Sequence, residues 1–165
     1  FICDMIQNNI FTLVRFARAT NYIVVAFDEV TLLVCIELNL PCYNGSSYVP
    51  NYQKNTFLPR EGTYGQPYWE AIGWYWVPLC LDILRKRYTI IKSDADISFA
   101  PKNIWKAYEL MSEKTGADLI FMRELPINTG HLYAIPNDRV ISCFEEWIAS
   151  RSWFKLTEQM TLMRL

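Results

Sequence analysis

Between Asp4 and Thr20 apolar residues return at three- and four-residue steps, through Met5, Ile6, Ile10, Leu13, Val14, Phe16 and Ala17. Gln7, Asn8, Arg15 and Arg18 fall between them. That spacing predicts an amphipathic helix. Asn21 interrupts it, and Tyr22-Ile23-Val24-Val25-Ala26-Phe27 then runs apolar without alternation up to Asp28, the pattern of a strand covered on both faces. A second helix is predicted from about Glu29 to Asn39, followed by a short extended piece, Leu40-Pro41-Cys42-Tyr43.

Periodicity fades from Asn44 to Pro67, where Gly45, Gly62, Gly65, Pro50, Pro59 and Pro67 stand among polar and aromatic residues. A loop of that length is either a binding loop or lid, or a plain insertion. From Tyr68 to Arg87 the stripe Trp69, Ile72, Trp76, Leu79, Cys80, Ile83 and Leu84 predicts a helix that Pro78 kinks or splits. Arg85-Lys86-Arg87 closes it where cations suit the negative end of the helix dipole. Ile90 and Ile91 begin a strand that runs into Asp94-Ala95-Asp96. A helix over Asn103 to Thr115 follows, stopped by Gly116. Ala117 to Met122 and Asn128 to Ile135 read as strands, the second halted by Pro136. Asn137 or Asp138 caps a helix bearing Val140, Ile141, Phe144, Trp147 and Ile148, and Leu156 to Leu165 reads as a short last helix. Alternating helices and buried strands predict a mostly parallel α/β sheet flanked by helices, with ligands at the carboxyl ends of the strands. Asp28 stands at such an end.

With 165 residues, 52% of them hydrophobic and 15% aromatic, the chain has material for one well-packed domain and is not a disordered one. Its 16 basic residues nearly cancel its 17 acidic ones, so no global field favours nucleic acid or an anionic membrane. An anionic ligand must therefore be held locally. The five cysteines form no Cys-x-x-Cys pair beside histidines, which argues against zinc; most read as small buried apolar side chains, and the odd count leaves at least one thiol. No apolar run approaches the roughly twenty residues of a membrane span. The first residue is Phe1, so the sequence reads as a piece of something longer.

The candidate chemistry centres on Asp94 and Asp96. On a strand the two carboxylates would share a face and Ala95 would point away. Oxygen donors of this kind suit hard divalent ions such as magnesium or manganese, and an acidic turn capping the next segment is the plainer explanation. Lys92 falls on the same alternating face, placed for a phosphate, for one of the aspartates, or for solvent. In Asn128-Thr129-Gly130 the glycine permits close backbone approach and the Asn128 amide can donate to and accept from hydroxyls, although a simple turn also explains the triplet. His131, the single histidine, reads as a packed or solvent-facing residue before it reads as a ligand.

Asp94-Ala95-Asp96 behind an apolar strand, Pro101 after it, and Asn128-Thr129-Gly130 about thirty residues on together resemble the nucleotide-diphospho-sugar transferases, over most of Asn21 to Gln159. That family includes plant cell-wall xylosyl-, arabinosyl- and galactosyltransferases. The resemblance implies a Rossmann-like GT-A fold in a single domain, residues 1–165, truncated by the lack of a strand before the first helix. It implies transfer of a hexosyl or pentosyl group from a nucleoside-diphosphate sugar, with uridine diphosphate as carrier, to a carbohydrate or glycoprotein hydroxyl with retention of configuration. Asp94 and Asp96 would hold Mn2+ or Mg2+ as an Asp-x-Asp motif. Asp28, Lys92, Asn128, Thr129 and Gly130 would line the donor, and Glu158-Gln159, where many relatives carry Asp-Gln, would be catalytic or else a solvated helix face. Relatives commonly have glycine where Arg87 stands. A Golgi lumen is implied for a eukaryotic source and the cytoplasm for a prokaryotic one. The alternative is a domain of the same fold that binds nucleotide without catalysis.

Overall fold

The computed structural model describes residues 2–49, 73–100, 103–124, 127–154 and 157–165. Most of the predicted loop, the start of the helix predicted from Tyr68, and Pro101 lie outside the described residues. In chain order the elements are α1 (Ile2–Arg15), β1 (Val24–Ala26), α2 (Glu29–Glu37), β2 (Cys42–Asn44), a 3-10 turn (Ser46–Tyr48), α3 (Trp76–Arg85), β3 (Ile90–Ser93), α4 (Ile104–Thr115), β4 (Leu119–Arg123), β5 (Ile127–Ala134), α5 (Asp138–Phe154) and α6 (Glu158–Leu162). They divide into two compact units, one joining Phe1–Tyr22 to Ile83–Ser142 and the other joining Ile23–Asp82 to Cys143–Leu165.

The first unit is built on a three-stranded sheet in the order β3-β5-β4, with β5 antiparallel to both neighbours. Among the described strands the chain is mixed α/β as expected, but the expected mostly parallel sheet is met only by β1 and β2, and this sheet is antiparallel. For β4 and β5 the physical reason lies in the chain between Arg123 and Ile127, where three residues suffice for a hairpin but not for the dozen or more of a parallel crossover. Leu132, Tyr133 and Ala134 of β5 are buried, as are Tyr108, Phe99 and Val140. Tyr108 of α4 stacks on Tyr133 with the rings 5.2 Å apart and 3° from parallel. Asn103 caps α4 by accepting from the Lys106 N–H at 3.0 Å, and Gly116 ends it at φ 68°. Asn137 opens α5 in the same way, accepting from Val140 N at 3.0 Å, which decides between Asn137 and Asp138 as the cap.

In the second unit β1 and β2 pair in parallel through Val24–Cys42, Val25–Tyr43 and Ala26–Asn44, with α2 as the crossover. Gly45 follows β2 where a Cβ would lie 2.8 Å from Val25 Cγ1 and 2.9 Å from the Phe27 ring, so only glycine fits without repacking. Cys35 and Cys42 form a disulfide across the α2–β2 corner, their Cα atoms 6.1 Å apart. The sequence leaves the pairing of the cysteines open, because a Cys-x6-Cys spacing carries no motif and this bond depends on the corner. Cys80 is a buried thiol. The helix predicted from Tyr68 is split where Pro78 acts: Gly73 is helical, Trp74 and Tyr75 form a turn, and α3 starts at Trp76, which places Pro78 in a first turn where no intrahelical N–H bond is lost. Trp147 of α5 is fully buried, edge-on to Trp76 at 5.3 Å and Phe144 at 5.4 Å, and its indole N–H donates to the Glu158 carbonyl at 2.8 Å.

Candidate functional site

β3 ends at Ser93, and Asp94-Ala95-Asp96 already lies in a turn rather than on the strand. The shared-face argument from strand alternation therefore does not apply to the aspartates. The Asp94 N–H donates to the Gly130 carbonyl at 2.7 Å, and the Ile97 N–H reaches back to the Asp94 carbonyl at 3.4 Å, closing the turn. Asp94 and Asp96 are both exposed, with 52% of the Asp94 side chain open to solvent.

Lys92 lies on β3 with its side chain only 13% exposed, which excludes the surface-lysine reading. Its ammonium pairs with the Asp94 carboxylate and donates to the Thr129 carbonyl at 3.0 Å. With Asp94 half open to water, such a pair is worth about 1 kcal/mol or less, so it orients the carboxylate more than it stabilises the fold.

Across the sheet, the β4–β5 register breaks beside Asn128-Thr129-Gly130: Phe121 pairs with Leu132, yet Met122 pairs with Asn128, leaving the intervening β5 residues without a ladder partner on β4. The bulge turns this triplet toward Asp94. A Cβ on Gly130 would lie 2.7 Å from Asp94 Oδ2 and 2.8 Å from Asn128 Oδ1, so the glycine leaves the space that the carboxylate uses. The Asn128 side chain is engaged at both ends, accepting from Gly130 N at 2.6 Å and donating to Glu124. Next in the chain, His131 is buried between Phe99 and Tyr108, with ring centroids at 5.7 and 5.6 Å. Burial, helped by the nearby Lys92 charge, lowers its pKa to about 4, so it is a neutral packed residue at ordinary pH.

The structure thus brings together Lys92, Asp94, Asn128, Thr129 and Gly130, with Asp96 on the same turn. Asp28, Glu158 and Gln159 lie in the second unit. Both Asp28 oxygens serve the first turn of α2, accepting from Thr31 N at 2.8 Å and Thr31 Oγ1 at 2.7 Å. Glu158 and Gln159 open α6, and the Glu158 carboxylate lies against Gly73 so closely that a Cβ there would collide with it. Missed in the sequence are Asn9 and Thr12, which hold the aspartate turn from α1. The signal was present: Met5, Asn9, Leu13 and Ala17 fall on one four-residue row, so Asn9 is a polar residue in an apolar stripe.

Two carboxylates fit a divalent ion of the magnesium or manganese type, which takes one or two protein carboxylates and completes its shell with phosphate oxygens and water. The side chains nearest the turn offer oxygen donors and one ammonium. Among the described residues no group of three or more His, Cys, Asp or Glu assembles, so any such ion would rely on its ligand for the rest of its shell.

Over residues 17–165 the sequence matches the nucleotide-diphospho-sugar transferase family. The chain belongs to that family. An uncharacterized protein of Arabidopsis thaliana is 25% identical over 128 residues, an alignment covering 78% of this chain and 37% of that protein. The chain therefore spans little more than a third of the length of this relative. No solved structure matches it. Among the described residues no helix is long and apolar enough to cross a membrane.

Proposed function

We propose that the chain carries the donor site of a metal-dependent glycosyltransferase that moves a sugar from a uridine-diphosphate carrier to a carbohydrate or glycoprotein hydroxyl. The observation that carries this reading is the turn after β3, where two exposed carboxylates stand next to a nearly buried lysine and a glycine-opened bulge. Asp94 and Asp96 would hold the divalent cation, Mn2+ or Mg2+, which as a Lewis acid offsets the charge growing on a diphosphate leaving group. Lys92 adds a fixed positive charge to the same place and keeps Asp94 oriented. Thr129 anchors that lysine through its carbonyl, Asn128 holds the bulge in shape, and Gly130 leaves the room in which the Asp94 carboxylate sits. Retention of configuration, with Glu158 or Gln159 as the acidic or amide group at the anomeric carbon, is carried in this reading by the family resemblance alone. The Cys35–Cys42 disulfide supports an oxidising compartment such as the Golgi lumen.

Hydrolysis of uridine-diphosphate sugars with manganese, with magnesium and with chelator tests the proposal, alongside Asp94→Ala and Asp96→Ala. Turnover that needs the ion and drops at least a hundredfold in either variant is expected; chelator-insensitive turnover that survives both substitutions would rule out the metal role. Binding of uridine diphosphate and manganese with no turnover toward any donor would establish the non-catalytic alternative. The anomeric configuration of a transferred product, read by NMR, decides retention.

A further inference from the structure

We propose that Asn9 is the positioning residue of the aspartate turn, a role that rests on the donor-site reading and lies outside the stretch matched to the family. Asn9 sits in the middle of α1 and is 8% exposed. A buried amide must spend its hydrogens on acceptors, since leaving them unpaired is costly. Its Nδ2 donates to the Asp94 carbonyl at 3.0 Å and to the Ile97 carbonyl at 2.8 Å, with Ser93 Oγ further off at 3.4 Å. Those two carbonyls bracket Asp94-Ala95-Asp96, so one side chain ties both ends of the turn to a helix. Thr12, one turn on, extends the attachment: its hydroxyl donates to the Asn9 carbonyl at 2.9 Å and accepts from Phe99 N at 3.1 Å.

Asn9 touches neither carboxylate, yet it sets where both can point. The turn is fixed from below through its backbone, while the Asp94 carboxylate keeps its Lys92 partner and Asp96 is exposed. Asn8 is the internal control. Its amide reaches Ser98 Oγ at 2.7 Å on the exposed side and touches no backbone group of the turn.

The test combines manganese affinity, read by the EPR signal of free Mn2+, with NMR hydrogen exchange of the Ala95 to Ile97 amides, in Asn9→Ala, Asn9→Ser and Asn8→Ala. In Asn9→Ala, manganese and manganese-dependent uridine diphosphate should bind about tenfold more weakly, and the turn amides should exchange about tenfold faster while those of β4 and β5 hold. Asn9→Ser keeps one donor and should fall between, and it decides the matter if Asn9→Ala does not fold. Asn8→Ala should match the wild type. Unchanged exchange and affinity in Asn9→Ser would overturn the role of Asn9. A wild type that binds no manganese would instead overturn the donor-site reading, and the exchange measurement would then judge Asn9 alone.

Discussion

Asp28 and Asp94 each come shortly after a short strand, β1 ending at Ala26 and β3 at Ser93, and the chain treats them in opposite ways. Asp28 is consumed by its own neighbourhood, because Thr31 three residues on offers both a backbone N–H and a hydroxyl, and the helix after it takes both carboxylate oxygens. Asp94 begins a turn with no helix behind it, and its backbone is held by Gly130 and Asn9, distant in sequence. Among the described residues its carboxylate pairs with a lysine from its own strand and otherwise faces open solvent. A strand-end aspartate is thus spent as a cap where a helix starts directly behind it and keeps its carboxylate half exposed where none does. The first case shows up in stability and, on the proposed function, the second in ligand binding.

The largest expected break between the two turns is with acid. Ser93, next to Asp94, pairs across the sheet with His131, whose pKa falls from 6.5 to about 4 on folding. The unfolded chain binds that proton more tightly, so the contribution is complete above about pH 6.5 and is lost as pH falls toward 4. Its size is about 3 kcal/mol. Hydrogen exchange monitored from pH 7 to pH 4 should therefore show β3 and β5 loosening before β1 and β2. His131→Leu should flatten that pH dependence, and an unchanged profile would remove histidine from the account.

Next comes the covalent clip of the second unit. The β1–α2–β2 corner is closed by Cys35–Cys42, a short loop whose removal in Cys35→Ser should cost about 2 kcal/mol, measured by urea unfolding. The β3 turn has no such bond among the described residues and depends on a side-chain amide, so reductant should lower the stability of the second unit and leave manganese affinity unchanged.

Asp28→Ala should cost about 1 kcal/mol through loss of the helix cap, and Asp28→Asn, which can still accept from Thr31 N, should recover most of it. Both should bind uridine diphosphate and manganese as the wild type does. Weakened binding in Asp28→Asn at unchanged stability would collapse the distinction between the two aspartates and return Asp28 to the donor site.

Helix stripes, caps and the carboxylate pair were legible in the sequence because they are local. Asn103, Gly116 and the apolar rows of α1 and α4 each state their own structure within a few residues. The antiparallel order β3-β5-β4 was not, since a strand's partner is set by connection length and packing rather than by its own pattern. The Asp28 cap was readable in principle from Asp-x-x-Thr but was outweighed by the rule that ligands gather at strand ends. Lys92 needed depth, which alternation alone does not give. Asn9 is separated from Asp94 by 85 positions along the chain, most of them in the second unit, and Cys35 pairs with Cys42 only once α2 turns back, so neither contact is written in spacing.

The smallest effect sharpens the comparison at the strands' entrances. Helices α2 and α3 end in the same way, with the N–H of Leu40 returning to the Cys35 carbonyl at 3.2 Å and that of Tyr88 to the Ile83 carbonyl at 3.4 Å. Such an ending needs a left-handed residue just before that N–H, and Asn39 at φ 53° and Arg87 at φ 65° supply it, as Gly116 does after α4 at φ 68°. Asparagine and glycine tolerate this conformation, whereas an arginine Cβ crowds the next carbonyl at a cost of about 1 kcal/mol. Arg87 recovers little of that through its exposed pair with Asp138, whose side chain is 90% open to solvent. Arg87→Gly should therefore stabilise β3's entrance, the relief being offset in part by the freer unfolded chain, for a net gain of about 0.5 kcal/mol. Arg87→Asn should gain a similar amount without that offset, and Asn39→Arg should lose it at the entrance to β2. Opposite signs in these two exchanges, read by thermal melts, would show that both entrances obey one backbone rule; equal signs would mean that the arginine at position 87 is held by contacts stronger than its strain.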